Sequence, residues 1–216
     1  MPNYHDSLEI CARQFYSDKF NLYHNWEHIL FVLSSYKKIF RKDPSETEKA
    51  AILFHDCVYV PGSPYGINET LSAITACKVI KFSNIKSIDL DLLEKIILAT
   101  RVQNYLDPSF FDEDCNRVMD ADVASLAEPY ECFLQNNANI IFENHGPIRF
   151  AHEIDICIYA SAEFLAKISS RPFIYRTNEA RDLLESKARE NIRRFKANPN
   201  EIRDYLICSS EFKCQS

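Results

Sequence analysis

An adjacent histidine and aspartate, His55-Asp56, close an apolar helical run, Ala50-Ala51-Ile52-Leu53-Phe54. Upstream stands Tyr23-His24-Asn25-Trp26-Glu27-His28, and far downstream Met119-Asp120-Ala121-Asp122-Val123. Together these segments offer imidazole nitrogens and carboxylate oxygens, a donor mix that suits Mn²⁺, Fe²⁺, Co²⁺, Ni²⁺ or Zn²⁺. A His-Asp pair by itself is more often a hydrogen-bonded pair than part of a metal site, so the weight rests on all three segments in this order. His24 and His28 are four apart and share a face if both are helical. If the helix begins at Asn25 or Trp26, His24 lies in the turn beside that face. His55 and Asp56 reach one ion only where a helix end lets both side chains converge. The loop that follows, with Pro61-Gly62-Ser63-Pro64-Tyr65-Gly66, makes room for such an end. A divalent ion held by His28, His55, Asp56 and Asp122 would keep positions for water and a phosphoryl oxygen, lower the pKa of that water, and neutralise charge building on phosphorus.

The elements that must position these residues read as helices nearly throughout. A first helix is expected over about Ser7–Phe20. A second carries Ile29, Leu33, Tyr36 and Phe40 on one face. Ser45 and Glu48 have capping-box spacing and open a third, which ends near His55-Asp56. Residues 58–67 form a loop, and Asn68 is the expected N-cap of a fourth helix through Ala73, Ile74, Cys77 and Ile80. A fifth places Leu92, Leu93, Ile96 and Ile97 on one side. Residues 101–111 read as irregular, and a sixth helix holds Asp120 and Asp122. Long helices follow over about 148–168 and 178–195. Only three glycines occur in 216 residues, too few for a fold rich in tight turns, so the fold class is all-α. No repeat or boundary divides the chain, which predicts one helical domain over residues 1–196 and a polar, loosely attached tail over 197–216.

The net charge of −6 argues against a surface that coats nucleic acid. Arg181, Lys187, Arg189, Arg193 and Arg194 alternate with Glu179, Asp182, Glu185 and Glu190, which describes a solvated helix face. No apolar run reaches membrane-spanning length, and residues 1–6 carry no signal region. Eight cysteines without a Cys-x-x-Cys pair read as reduced thiols of a cytoplasmic protein, not as a disulfide framework or a cysteine zinc site. Oligomeric state is not legible.

Three motifs go beyond single residues: Tyr-His-Asn-x-x-His-Ile at 23–29, Ala-x-x-Phe-His-Asp-x-Val-Tyr at 51–59, and Asn-Glu-x-x-Ser-Ala at 68–73. With Ile-x-Ala-Thr at 97–100, Asp-Ala-Asp at 120–122, the segment Ile174-Tyr175-Arg176-Thr177 and Ala188-Arg189-Glu190-Asn191-Ile192, they resemble the HD superfamily of metal-dependent phosphohydrolases. The likeness is to a subgroup described only as predicted HD-type phosphohydrolases, and it spans residues 15–195. It implies a helical HD-type bundle and a divalent metal on His28, His55, Asp56 and Asp122. Asp122 is preferred over Asp120 because it takes the Ala-Asp place of the last motif. It further implies Glu69 as the group that orients or deprotonates the attacking water, and His24 as a phosphate contact. Read without the resemblance, Glu69 is a first-turn carboxylate and His24 a residue packed beside Tyr23. Three positions depart from the subgroup: Gln103 where a histidine is expected, Asn21 where an arginine is common, and Val60 where an acid is common.

The function expected from these residues is hydrolysis of a small phosphorylated substrate, a nucleotide or another phosphoester. An alternative is a non-catalytic nucleotide- or metal-binding protein, motivated by Gln103, Asn21 and Val60. A di-iron oxygenase on a similar scaffold needs more histidines, and only His5, His145 and His152 lie outside the motifs.

Overall fold

The computed structural model of the chain describes residues 4–107, 111–145 and 151–206, with the backbone alone for residues 4–7, 151 and 152. Every regular element among them is a helix, so the fold is all-α as the periodicity predicts. The chain divides into two compact units, one ending at Asp122 and the other beginning at Val123.

The first unit contains α1 (Tyr4–Arg13), a 3-10 turn (Gln14–Tyr16), α2 (Trp26–Phe40), α3 (Glu46–Phe54), α4 (Ile67–Phe82), α5 (Leu90–Ala99), α6 (Val102–Leu106) and α7 (Glu113–Asp122). Helix α3 is its axis. Ala50, Ala51, Ile52, Leu53 and Phe54 are all buried, so this helix is apolar on every side and must lie among others. Around it pack Ile29, Val32 and Tyr36 of α2, Leu93, Ile96 and Ile97 of α5, and Val118 and Met119 of α7. The capping box opens α3 as expected: Glu48 N–H donates to Ser45 Oγ at 3.2 Å, and Ser45 N–H donates to Glu48 Oε2 at 2.9 Å.

The other oxygen of Glu48 has a second use that the capping motif does not reveal. Oε1 accepts from Tyr36 Oη at 2.7 Å and from Arg117 Nε at 2.8 Å. This buried network joins α2, α3 and α7, the three elements that also bring His28, His55 with Asp56, and Asp122 together. Arg117 pairs further with Glu113 and Asp114 on its own helix.

Three local expectations differ from the structure. The first helix stops at Arg13 and tightens into the 3-10 turn, instead of running to Phe20. Helix α4 begins one residue after Gly66, whose φ of 80° lies in the left-handed region, so Asn68 is not its cap. Asn68 instead braces the loop: Val60 N–H donates to its Oδ1 at 3.1 Å, and its amide donates to Val60 O at 3.3 Å. Residues 102–106, read as irregular, form α6. Asn104 holds α6 in place, because its amide donates to two carbonyls at the end of α5, Leu98 O and Ala99 O, at 3.1 and 3.0 Å.

The second unit contains a 3-10 segment (Val123–Ala127), α8 (Tyr130–His145), α9 (Ala151–Ser169), α10 (Asn178–Ala197) and a 3-10 turn (Pro199–Ile202). Phe133, Leu165, Ile192 and Phe195 are in its core, and Asn191 of α10 donates to Leu126 O and Glu128 O at 2.9 and 2.8 Å. Helix α8 went unread in the sequence because Gln135, Asn136, Asn137 and Asn139 interrupt its apolar spacing. The chain after Ala197 is not loosely attached as far as it is described, since Ile202 and Leu206 are buried. Residues 207–216 of the expected tail lie outside the described residues.

Among the described residues no helix is long and apolar enough to cross a membrane. Cys11, Cys57, Cys77, Cys115, Cys132 and Cys157 are free thiols.

Candidate metal centre

Asn25 caps α2, accepting from the amides of Glu27 at 2.9 Å and His28 at 3.2 Å. That fixes His28 in the first turn and leaves His24 before the helix, the second of the two arrangements open from sequence. The end of α3 is built with equal care. Its last carbonyls have no helical partner of their own, yet each is satisfied. Ile52 O accepts from His55 Nδ1 at 2.9 Å, Leu53 O from Tyr16 Oη at 3.0 Å, and Phe54 O from Cys57 N–H at 3.1 Å. The resulting tight turn swings His55 and Asp56 toward the same point. Asp122 comes to it as the last residue of α7.

His28, His55, Asp56 and Asp122 thereby form one group whose donor atoms all lie within 4.8 Å of one another. His55 Nε2 is 2.9 Å from Asp56 Oδ2 and 3.4 Å from Asp122 Oδ1. His28 Nε2 is 3.1 Å from Asp122 Oδ1 and 3.5 Å from Asp56 Oδ2. Two donors that each sit about 2.0–2.2 Å from a common ion are separated by roughly 3.0 Å at a right angle and roughly 3.4 Å at a tetrahedral one. The four observed separations run from 2.9 to 3.5 Å, close to those values at both ends.

The tautomer of His55 sharpens the fit. A carbonyl only accepts, so Nδ1 carries hydrogen toward Ile52 O, and in the neutral ring Nε2 presents a lone pair. That nitrogen is buried, makes no hydrogen bond, and faces two carboxylates. A lone pair against carboxylate oxygens is repulsive unless a proton or a metal ion lies between them, so this nitrogen needs one or the other. The carboxylates are themselves only 16% exposed, and two buried negative charges need compensation. The donor set therefore fits a divalent ion.

The charges act on one another as such a cluster requires. Burial disfavours a charged His55, but the Asp56 and Asp122 carboxylates outweigh it and hold its pKa well above the ordinary histidine value. Burial alone would raise Asp122; the hydrogen bond from His28 and the charges of His55 and His28 hold it well below the usual carboxylate range. Asp56 is likewise pushed up by burial and brought down overall by His55 and then His24. Burial drives the neighbouring Cys57 thiol up to about 12, so it stays neutral and does not join the group.

The remaining sequence candidates lie around this group. Asp120 is buried in α7 but Asp122, not Asp120, joins the four donors. Glu69 occupies the first turn of α4; burial raises its pKa, the Asp56 charge raises it further, and Arg101 opposes both. His24 stacks on Tyr59 with ring centroids 3.9 Å apart and lies 6.1 Å from the His28 ring. Of the three departures from the subgroup, Gln103 and Val60 are exposed, while Asn21 accepts from the Asn25 amide through its carbonyl at 3.2 Å. His145 is exposed and outside the group, and the side chains of His5 and His152 are outside the described residues.

One residue that contacts the group was missed in the sequence. Tyr105 of α6 is buried and donates to Asp122 Oδ2 at 2.6 Å. Burial and the Asp122 charge hold this phenol well above its usual pKa, so it remains a donor. The available signal was weak, an aromatic residue three positions after Val102 and next to Leu106 in a five-residue helix. No protein-family model, curated protein or solved structure matches the chain.

Proposed function

We propose that this chain is a metal-dependent phosphohydrolase acting on a nucleotide or another small phosphoester. The observation that carries the reading is the convergence of His28, His55, Asp56 and Asp122, with His55 Nε2 aimed between two carboxylates and making no hydrogen bond. A divalent ion bound by these four supplies Lewis acidity toward a phosphoryl oxygen and acidifies water. The motif resemblance to HD-type phosphohydrolases supports the same chemistry.

The chain's own groups then have distinct tasks. Glu69 takes the proton of the attacking water; its raised pKa brings its basicity closer to neutrality than that of an ordinary glutamate. His24, steadied by its stack on Tyr59, donates a hydrogen bond to a phosphate oxygen. Tyr16 and the His55 ring lock the end of α3, so that Asp56 keeps its orientation while charge redistributes.

The test is release of phosphate and pyrophosphate from a panel of nucleotides and phosphoesters with Mn²⁺, wild type beside Asp56→Ala. Release by wild type alone supports the hydrolase, and its best substrate gives the class. Release by both proteins overturns the site. With metal uptake confirmed, release by neither makes the protein a non-catalytic binder.

A further inference from the structure

The two oxygens of Asp122 are divided between different partners. Oδ1 faces His28 Nε2 at 3.1 Å and His55 Nε2 at 3.4 Å, inside the metal group. Oδ2 accepts from Tyr105 Oη at 2.6 Å. This is a short hydrogen bond to an ionised acceptor, the stronger kind. Tyr105 is itself held from behind. Its helix is only five residues long, but Asn104 clamps it to the end of α5 with bonds to Leu98 O and Ala99 O. Thr100 closes the same helix end by donating from Oγ1 to Ile97 O at 2.8 Å. The phenol is thus a fixed donor on a braced support.

We propose that Tyr105 is a positioning residue that makes Asp122 a one-oxygen ligand and thereby sets which ions the centre accepts. The proposal rests on the reading of His28, His55, Asp56 and Asp122 as a metal site. With Oδ2 occupied by the phenol, Asp122 contributes Oδ1 alone, so the protein offers two nitrogens, one oxygen of Asp122 and the Asp56 carboxylate. Such a sparse set suits a small transition ion that binds imidazole. A larger ion seeks more oxygen donors and gains from a carboxylate that turns both oxygens toward it. Removing the phenol releases Oδ2 to do so, while the loss of orientation weakens the bond through Oδ1.

Zn²⁺ and Cd²⁺ separate these effects, because both have filled d shells and differ chiefly in size. Their dissociation constants are measured by competition with a chromophoric chelator, for wild type and Tyr105→Phe. The substitution keeps the ring in the core and deletes one oxygen. Zn²⁺ affinity is expected to fall about 10–100-fold, the usual cost of losing an outer hydrogen bond to a metal ligand. Cd²⁺ affinity is expected to fall by clearly less, so the ratio of the two constants shifts toward Cd²⁺. The ratio cancels any loss of folded protein, since partial unfolding lowers both affinities by one factor. Equal losses for both ions, or none for either, overturn the role of Tyr105 and leave the metal site standing. If wild type takes up neither ion, the metal reading itself falls, and the assignment of Tyr105 with it.

Discussion

Replacing Glu48 by glutamine tests whether the helices that carry the candidate site are held by one buried network. Glu48 is 2% exposed and serves two ends of the fold at once. Its Oε1 accepts from Tyr36 and Arg117, and its Oε2 accepts from Ser45 N–H. A glutamine is nearly the same shape but has one acceptor oxygen. If that oxygen serves Tyr36 and Arg117, the amide nitrogen meets Ser45 N–H donor against donor. One buried donor then goes unsatisfied, at a cost of about 1–3 kcal/mol. Removing one charge from a buried ion pair costs about 3–5 kcal/mol when nothing else compensates. Here Glu113 and Asp114 still pair with Arg117, although Glu113 is 82% exposed and weak for that reason. The low end therefore applies, and Glu48→Gln should destabilise the protein by about 3 kcal/mol.

Denaturant unfolding at pH 7, followed by helical circular dichroism, measures the change directly. The same loss should appear as a fall in melting temperature of roughly 6–12 °C for a chain of this size. The pH dependence adds an independent check. Burial raises the Glu48 pKa, but hydrogen bonds from Tyr36, Arg117 and Ser45 more than offset it and leave the pKa below the ordinary value. A carboxylate with a lowered folded pKa contributes stability that is fully present above its unfolded pKa, about 4.3, and lost as pH falls through the folded value. The gap between wild type and Glu48→Gln should accordingly be constant near neutrality and close in acid. A gap below about 1 kcal/mol at pH 7, or one that widens in acid, would refute the reasoning.

Four further predictions concern the site. A divalent ion at about a hundredfold its dissociation constant should stabilise wild type by about 2.7 kcal/mol and leave Asp56→Ala unchanged; thermal melts with and without Mn²⁺ decide this. Because the raised His55 pKa leaves a proton on the ring that the ion must displace, affinity should climb with pH up to that pKa, and calorimetry in two buffers should register proton release. Glu69→Gln should retain the ion and lose about 10²–10⁴-fold in turnover, whereas loss of the ion would make Glu69 a ligand. Gln103→His should change neither metal content nor rate, because Gln103 is exposed; a gain in turnover would place that position in the reaction after all.

The candidate site was legible to the degree that its geometry is local. Ser45-x-x-Glu48 announced the start of α3, and the apolar run to Phe54 announced its end, so the sequence placed His55 and Asp56 at a helix terminus. Their convergence with His28 and Asp122 came from motif order alone, since no spacing rule spans the 94 residues between His28 and Asp122. Tyr105 and Arg117 were invisible for the complementary reason. Each acts through hydrogen bonds to residues distant in sequence, and neither helical periodicity nor capping chemistry encodes the partners. Glu48 shows the same limit within a single side chain: the oxygen that completes the capping box is readable from residues 45–48, and the oxygen that meets Tyr36 and Arg117 is not. One carboxylate thus does a local task that a sequence displays and a tertiary task that only the packed helices disclose. The same division recurs at Asp122, where Oδ1 belongs to the metal group and Oδ2 to Tyr105. In both places a helix is fixed by an acid whose two oxygens face different elements. A substitution that preserves shape but not both acceptors, glutamine at 48 or asparagine at 122, should therefore disturb the site more than its conservative size suggests.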